Sequence, residues 1–416
     1  MDMKRAVITG MGAVTPLGNN VNAYWENMLA GKSGAAAITR FDPINHKTKF
    51  ACEVKDFDPL NYFDRKEARK LDRYTQYALI ASEECLLDSS LDLKKTDLNK
   101  VGVILATGIG GIQSYEEEVL AFGQNNEVPR FSPFFITKMI GNIASGHISI
   151  RYGFRGINYA TVSACASSNH AIANAFDQIR LGKANIVLAG GSEAAITKAA
   201  VGGFNSIKAM STNNENAASA SRPFDVTRDG FVLGEGAGLL MVEELEHALQ
   251  RGAKIYCELV GYGAAADAYH VTATHPEGVG AELAMTDALA DAKMQPGEVD
   301  YINTHATSTP VGDIGECLAI DRIFGETSKK VFVSATKSMT GHLLGAAGAI
   351  EAIATIKAVE CNQVPPTINT KNIDPEIPGG LNIVLQKPVK TEINAAMSNT
   401  FGFGGHTVST IFKKVK

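Results

Sequence analysis

The stretch Gly156-Ile-Asn-Tyr-Ala-Thr-Val-Ser-Ala-Cys165-Ala-Ser-Ser-Asn-His-Ala-Ile172 decides the fold class. A β-type run over residues 158–162 ends near Ser163, and an apolar stripe at Ala171, Ile172, Ala175, Phe176 and Ile179 repeats with helical period just after it. Cys165 therefore stands at a strand-to-helix junction. A sharp turn there presents a side chain, and a following helix N-terminus favours negative charge, which lowers a thiol pKa. Small neighbours, Ala164, Ala166, Ser167 and Ser168, leave room for a ligand. Against this stands the ordinary role of a buried cysteine as a small inert hydrophobe.

Outward from this junction, continuous Val/Ile/Leu-rich runs alternate with helical patterns. Strands are expected at residues 5–9, 101–106, 158–162, 186–189, 239–242, 301–303 and 331–334, with a closing pair at 395–398 and 408–412. Such runs read as strands buried on both faces, in a parallel or mixed sheet covered by helices. The midpoint falls near the glycine-rich region 223–255, and no low-complexity linker divides the chain. The expected halves are 1–253, carrying the cysteine, and 254–416. The Gly10-Met-Gly-Ala-Val-Thr15 turn fails as a dinucleotide fingerprint, because Thr15 replaces the third glycine and no acidic residue follows at the right distance.

Composition narrows the function. Of 416 residues, 45% are hydrophobic and 20% charged, which excludes a disordered chain. The net charge of −5 excludes a global basic field for nucleic acid. Apolar runs break well short of about 20 residues, so no membrane span is expected. The first residues read as an immediate strand rather than a signal peptide. The six cysteines, Cys52, Cys85, Cys165, Cys257, Cys317 and Cys361, are scattered, with no Cys-x-x-Cys pair for zinc or redox exchange. A cytoplasmic protein with free thiols is the expectation.

Two histidines are candidate partners for Cys165. His305 ends a short apolar strand in Tyr301-Ile-Asn-Thr-His305-Ala-Thr-Ser-Thr-Pro310-Val-Gly-Asp313. His342 lies in Thr336-Lys337-Ser-Met-Thr-Gly341-His342-Leu-Leu-Gly345-Ala-Ala-Gly348 and is read as opening a long helix to about Val359. An imidazole at a helix N-terminus stays neutral and can donate to a developing oxyanion. The turn Phe401-Gly-Phe403-Gly-Gly405-His406 exposes backbone N–H groups and leaves an aromatic room to swing. Arg65, Lys66, Arg69, Lys70 and Arg73 would share one basic helix face, balanced by Asp64, Glu67 and Asp72 if it is merely solvated.

Taken together, Ser163-Ala-Cys165-Ala-Ser-Ser, the Asn303–Asp313 and Thr336–Gly348 segments and the Gly-Phe-Gly-Gly turn resemble the elongating β-ketoacyl-[acyl-carrier-protein] synthases, closest to the synthase II type. The likeness runs from Val7 to Ile411. Supporting stretches are Ser221–Asp225, Arg228–Gly236 and Asp267-Ala-Tyr-His270. The resemblance implies an α/β thiolase-like fold, with two pseudo-duplicated halves stacked as αβαβα layers, in a homodimer. It implies that Cys165 is acylated from acyl carrier protein, with the N–H groups of Cys165 and Phe403 as the oxyanion hole. His305 and His342 would stabilise the enolate formed as malonyl-carrier protein loses carbon dioxide. Lys337 would support them, paired with Asp313 and Glu316. Ile109, Phe204 and Leu344 match acyl-pocket positions, and Phe403 with Phe401 the gate. Lys66, Arg69, Lys70 and Lys208 would dock the acidic carrier protein. No metal or redox cofactor is needed, although a structural cation is implied near Asn303, Glu351, Ser398 and Asn399. Starter-type synthases carry Asn where His342 stands, and thiolases a second cysteine near the C-terminus. Ala306 and His406 depart from the usual Gly and Thr. A stand-alone polyene or polyketide ketosynthase, or a non-catalytic chain-length-factor-like subunit, are the alternatives.

Overall fold

The apolar runs form an eleven-stranded sheet in a computed structural model that describes residues 3–415. Its strands are β1 (Ala6–Val14), β2 (Val101–Ala106), β3 (Asn158–Tyr159), β4 (Ile186–Glu193), β5 (Gly236–Glu244), β6 (Cys257–Ala266), β7 (Tyr301–Asn303), β8 (Phe332–Ser334), β9 (Asn382–Ile383), β10 (Ala395–Gly402) and β11 (His406–Lys413). Their spatial order is β9-β8-β7-β10-β11-β6-β1-β5-β4-β2-β3.

That order contains one pattern twice. Outward from β1, the partners β5 and β4 pair antiparallel, then β2 and β3 parallel. Outward from β6, β11 and β10 pair antiparallel, then β7 and β8 parallel. The halves join where β1 meets β6 antiparallel, with Ala6, Val7 and Ile8 facing Leu259, Glu258 and Cys257. This short ladder closes the edge that each half-sheet would leave open.

Five helices place the layers: α1 (Arg73–Ser89), α2 (Ser167–Arg180), α3 (Val279–Asp291), α4 (Pro310–Phe324) and α5 (Ala347–Cys361). α1 packs on β1 and β5 on the outer face of the first half, and α3 covers β6 and β11 on the second. α2 and α5 lie between the half-sheets, and their apolar residues belong to one core with β1, β4 and β5. Twelve of the fifteen residues of α5 are buried, as befits a helix with no solvent face. Its small residues permit close approach: a Cβ on Gly348 would stand 2.7 Å from Asn169 of α2. Among the described residues, no helix is long and apolar enough to cross a membrane.

Two sequence expectations need correction. The basic stretch is not one helix. Residues Arg65–Ala68 form a single turn, the chain breaks, and α1 starts at Arg73, capped by Asp72. Asp72 is buried and also accepts from Ser114, so it balances no solvated face. Nor does His342 open a helix. It lies extended between a short turn, Lys337–Thr340, and the 3-10 turn Leu344–Ala346 that precedes α5.

Candidate active site

Cys165 and His342 occupy the same place in the two halves: the turn between an outer parallel strand, β3 or β8, and a central helix, α2 or α5. Stacking α2 on α5 therefore brings the two turns together. Ala164 takes a left-handed φ of 50°, and this bend presents the Cys165 side chain ahead of α2. The His342 N–H donates to the Val232 carbonyl at 2.7 Å, and its own carbonyl accepts from Gly234 at 2.9 Å. Held so, His342 Nε2 lies 2.9 Å from Cys165 Sγ.

His305 arrives from the end of β7. Glu316 on α4 accepts the N–H of His305 and of Ala306, both at 2.9 Å, and Asn399 Nδ2 at 3.0 Å. This carboxylate thus fixes the backbone that carries the imidazole. The His305 and His342 rings meet edge to face with centroids 5.4 Å apart, and Phe401 and Phe231 flank the pair. The reactive atoms of Cys165, His305 and His342 all lie within 4.8 Å of one another.

Burial sets the electrostatics. It pushes the Cys165 thiol up to about 12, against the Lys337 charge and the Phe403 backbone N–H. The low thiol pKa expected from a helix N-terminus is therefore not found: at 8% exposure, desolvation outweighs the favourable field. Burial also holds both histidines well below the ordinary imidazole value, and the Lys337 ammonium adds to this. They are neutral at pH 7. Among the described residues neither Nδ1 has a hydrogen-bond partner, and the His342 tautomer answers to its Nε2 contact with Cys165 Sγ.

Lys337 is fully buried and pairs with Glu351 of α5, not with Asp313 and Glu316. Asp313 instead faces Arg228 at 3.4 Å and accepts the Phe224 N–H. Burial raises the Glu351 carboxyl to about 7, opposed by Lys337. For the implied cation, Glu351 Oε2 and Ser398 Oγ are buried without hydrogen-bond partners among the described residues, and Asn303, whose Oδ1 accepts from the Thr336 hydroxyl at 3.3 Å, faces Ser398 across the β7–β10 ladder. These oxygens suit a hard cation. The Asn399 amide does not join them, being committed to Glu316 and Ser409.

A cavity of about 590 Å³ opens onto this cluster. Ile109, Phe204, Leu344, Phe401 and Phe403 line it with Cys165, His305 and His342, and Lys208 stands at its wall. Lys66, Arg69 and Lys70 lie outside it, exposed on the surface, with Lys70 over the Phe134 ring. The β10–β11 hairpin turns at Phe403–Gly405, where Gly404 and Gly405 take positive φ, and its Gly404 N–H donates to Val271 at 2.7 Å. His406 does not line the cavity and sits edge-on to the His170 ring, centroids 6.4 Å apart.

Sequence reading missed Glu193, a fully buried carboxylate ending β4. It accepts from the N–H groups of Gly108, Gly345 and Ile109 at 2.7, 3.0 and 3.2 Å, and from the Thr107 hydroxyl at 3.1 Å. The one available signal was an acidic residue closing an otherwise apolar and glycine strand.

Comparison with known proteins agrees with this arrangement. The "Beta-ketoacyl synthase, N-terminal domain" family matches residues 3–248, and the "Beta-ketoacyl synthase, C-terminal domain" family matches residues 256–371. The 3-oxoacyl-[acyl-carrier-protein] synthase 2 of Synechocystis is 46% identical over 100% of this chain and 99% of its own length. That of Staphylococcus aureus (strain COL) is 46% identical over 99% and 98%. A type II polyketide ketosynthase complex with its acyl-carrier protein contains a chain that superposes with a TM-score of 0.92 at 33% identity, covering both chains fully. A beta-ketoacyl synthase from Burkholderia phymatum gives 0.91 at 34%, again over the whole of both chains. With its duplicated α/β halves and the Cys-His-His cluster between them, the chain belongs to the beta-ketoacyl synthase family.

Proposed function

We propose that this protein is a 3-oxoacyl-[acyl-carrier-protein] synthase of the synthase II type, which extends a cysteine-bound acyl chain by two carbons from malonyl-carrier protein. The observation that carries this is the Cys165–His342 contact at 2.9 Å with His305 beside it, at the end of a mostly apolar cavity. In the first half-reaction, Cys165 Sγ attacks the acyl thioester carbonyl. Its proton has an acceptor in neutral His342 Nε2 and leaves with the carrier's thiol. The tetrahedral oxyanion is met by the backbone N–H groups of Cys165 and Phe403. In the second, the C–C bond to the malonyl carboxylate breaks and carbon dioxide departs. The electron pair remains as an enolate, whose oxygen takes hydrogen bonds from the two imidazoles. Neutral donors suit this step, because once Cys165 is acylated and its thiol proton gone, each ring is free to present Nε2–H to the oxygen. The enolate carbon then attacks the Cys165 thioester, the C–S bond breaks, and the departing thiolate takes a proton from solvent to restore the thiol.

Lys337 acts behind the histidines, and Glu316 holds the His305 backbone. Phe403, with Phe401, gates the passage between the acyl and malonyl sites, and Ile109, Phe204 and Leu344 contact the acyl chain. The carrier protein docks on Lys66, Arg69, Lys70 and Lys208; reversing Lys66 and Lys70 to Glu raises the carrier's KM, and added salt shrinks that difference. The halves divide at 253/254, the assembly is a homodimer and the setting cytoplasmic. Support for the dimer is the open edge at β3, with exposed Val162, Phe131, Phe134 and Ile136.

The test is intact mass after mixing with long-chain acyl-carrier protein, then malonyl-carrier protein. Wild type gains the acyl mass and discharges it as a β-ketoacyl product two carbons longer; Cys165→Ala gains none. A wild type that takes up no acyl group at any chain length refutes the synthase and leaves a non-catalytic partner subunit.

A further inference from the structure

Behind the cavity's lining residues lies a buried carboxyl group that the reaction does not use, pushed up to about 7 by burial against its backbone donors. Glu193 is fully buried, and every partner it has is a donor. Oε2 takes the N–H of Gly108 and of Gly345, and Oε1 takes the Ile109 N–H and the Thr107 hydroxyl. The first segment follows β2 in one half, and the second precedes α5 in the other. The two backbones touch: a Cβ on Gly345 would stand 2.1 Å from the Gly108 nitrogen. Each segment places one apolar side chain in the cavity, Ile109 and Leu344 respectively. The second segment is tied further to α2, where the Ser168 hydroxyl donates to the Gly345 carbonyl.

A core of this kind does not need a carboxylate for stability, since burying one costs more than an apolar residue of equal volume. What the carboxylate supplies is geometry: four donors from two halves converge on one rigid group. We infer that Glu193 is a positioning residue for acyl selectivity, a clasp that fixes the spacing of Ile109 and Leu344 across the acyl cavity. This rests on the reading of that cavity as the acyl site.

Glu193→Gln isolates the effect. With its carbonyl oxygen facing Gly108 and Gly345, the Gln amide still bridges the halves, and its NH2 can donate to Thr107. It turns a donor toward the Ile109 N–H, so only that bond is lost and Ile109 is freed. The experiment is a double-mutant cycle on kcat/KM for one short-chain and one long-chain acyl-carrier protein, using Glu193→Gln, Ile109→Ala and the double variant.

Glu193→Gln lowers the discrimination between chain lengths by about fivefold, the factor expected for one lost hydrogen bond, through the KM of the acyl substrate. In the Ile109→Ala background the same change has less than about a twofold effect, because the side chain through which the clasp acts is gone. A wild-type selectivity in Glu193→Gln, an equal fall at all chain lengths, or a shift that persists without the Ile109 side chain overturns the clasp. If the Gln variant does not fold, Glu193→Asp enters the same cycle, since it keeps the carboxyl and shortens the reach. A wild type that condenses neither chain overturns the acyl-site reading together with the clasp, whereas an active wild type with an unaltered Gln profile overturns the clasp alone.

Discussion

After burial, Lys337 is the largest influence on the charge state of the site. Its ammonium depresses both histidines and opposes the rise of the Cys165 thiol. Removing it leaves the larger effect of burial in place, relaxes part of the histidine depression and lets the thiol rise further. In Lys337→Ala the imidazoles titrate higher, so protonation removes the neutral donors at a higher pH. The acid limb of malonyl decarboxylation therefore moves upward in the variant, while the thiol moves further up and acylation slows, by about tenfold per pKa unit. Glu351 does not remain a naked charge, because its carboxyl already sits at about 7 and takes a proton. The pH profile of carbon dioxide release checks this; an acid limb that stays in place or moves down refutes it. The choice of partner for Lys337 was not legible in the chain. Asp313, Glu316 and Glu351 are all acidic residues near the motifs, and only the packing of α5 selects the one fourteen positions on. Glu193 was silent for the same reason: its four donors come from segments remote in sequence. Cys165, His305 and His342 could be singled out because each is embedded in small residues, although His342 does not stand at the helix start expected of it.

At the scale of elements, the site depends on the β10–β11 hairpin lying against the turn that carries Cys165. A Cβ on Gly402 would stand 2.9 Å from the Cys165 nitrogen and 3.0 Å from the Ser163 carbonyl, both rigid backbone. Its φ of −121° is open to any residue, so the requirement is steric alone. Gly402→Ala pushes the hairpin away and carries the Phe403 N–H off the sulfur. Stability falls by about 1–3 kcal/mol, as for other overpacked sites, and acylation falls by about a hundredfold, since a shift near 1 Å costs that much. Single-turnover acyl transfer beside a thermal melt separates the two; a variant that loses stability but acylates at the wild-type rate refutes the coupling. The strands that were legible, such as β2 and β7, are continuous apolar runs. β6 was not, because Gly261 and Gly263 interrupt Cys257–Ala266. Those glycines answer to α3: a Cβ on Gly263 would lie 2.1 Å from the Ala284 carbonyl. The basic stretch failed as a helix because the acidic residue at 72 serves as a cap rather than as one more member of a charged face.

For the whole molecule, duplication was implied by the family resemblance and not by any repeat in the sequence, and the joint was not legible at all, since β1 and β6 are about 250 residues apart and pair over only three positions. That joint and the shared central core decide how the molecule unfolds. Residues of both halves, from Met11 and Trp25 to Ile353 and Phe412, belong to one apolar cluster. Arg180 of α2 in the first half reaches Asp291 of α3 in the second at 2.8 Å, over the ring of Tyr262. Chains of this length commonly unfold domain by domain. Here neither half can leave without exposing its face of α2 or α5, so both go together. Trp25 is the sole tryptophan and is buried in the shared core, so its fluorescence reports on one place while far-UV circular dichroism reports on all the strands and helices. In guanidinium the two signals change in one coincident transition. If the proposed homodimer forms through the β3 edge, the midpoint also rises with protein concentration, since association stabilises only the folded chain. Separated transitions would show that the halves are independently stable despite the common core, and a midpoint independent of concentration would remove the dimer.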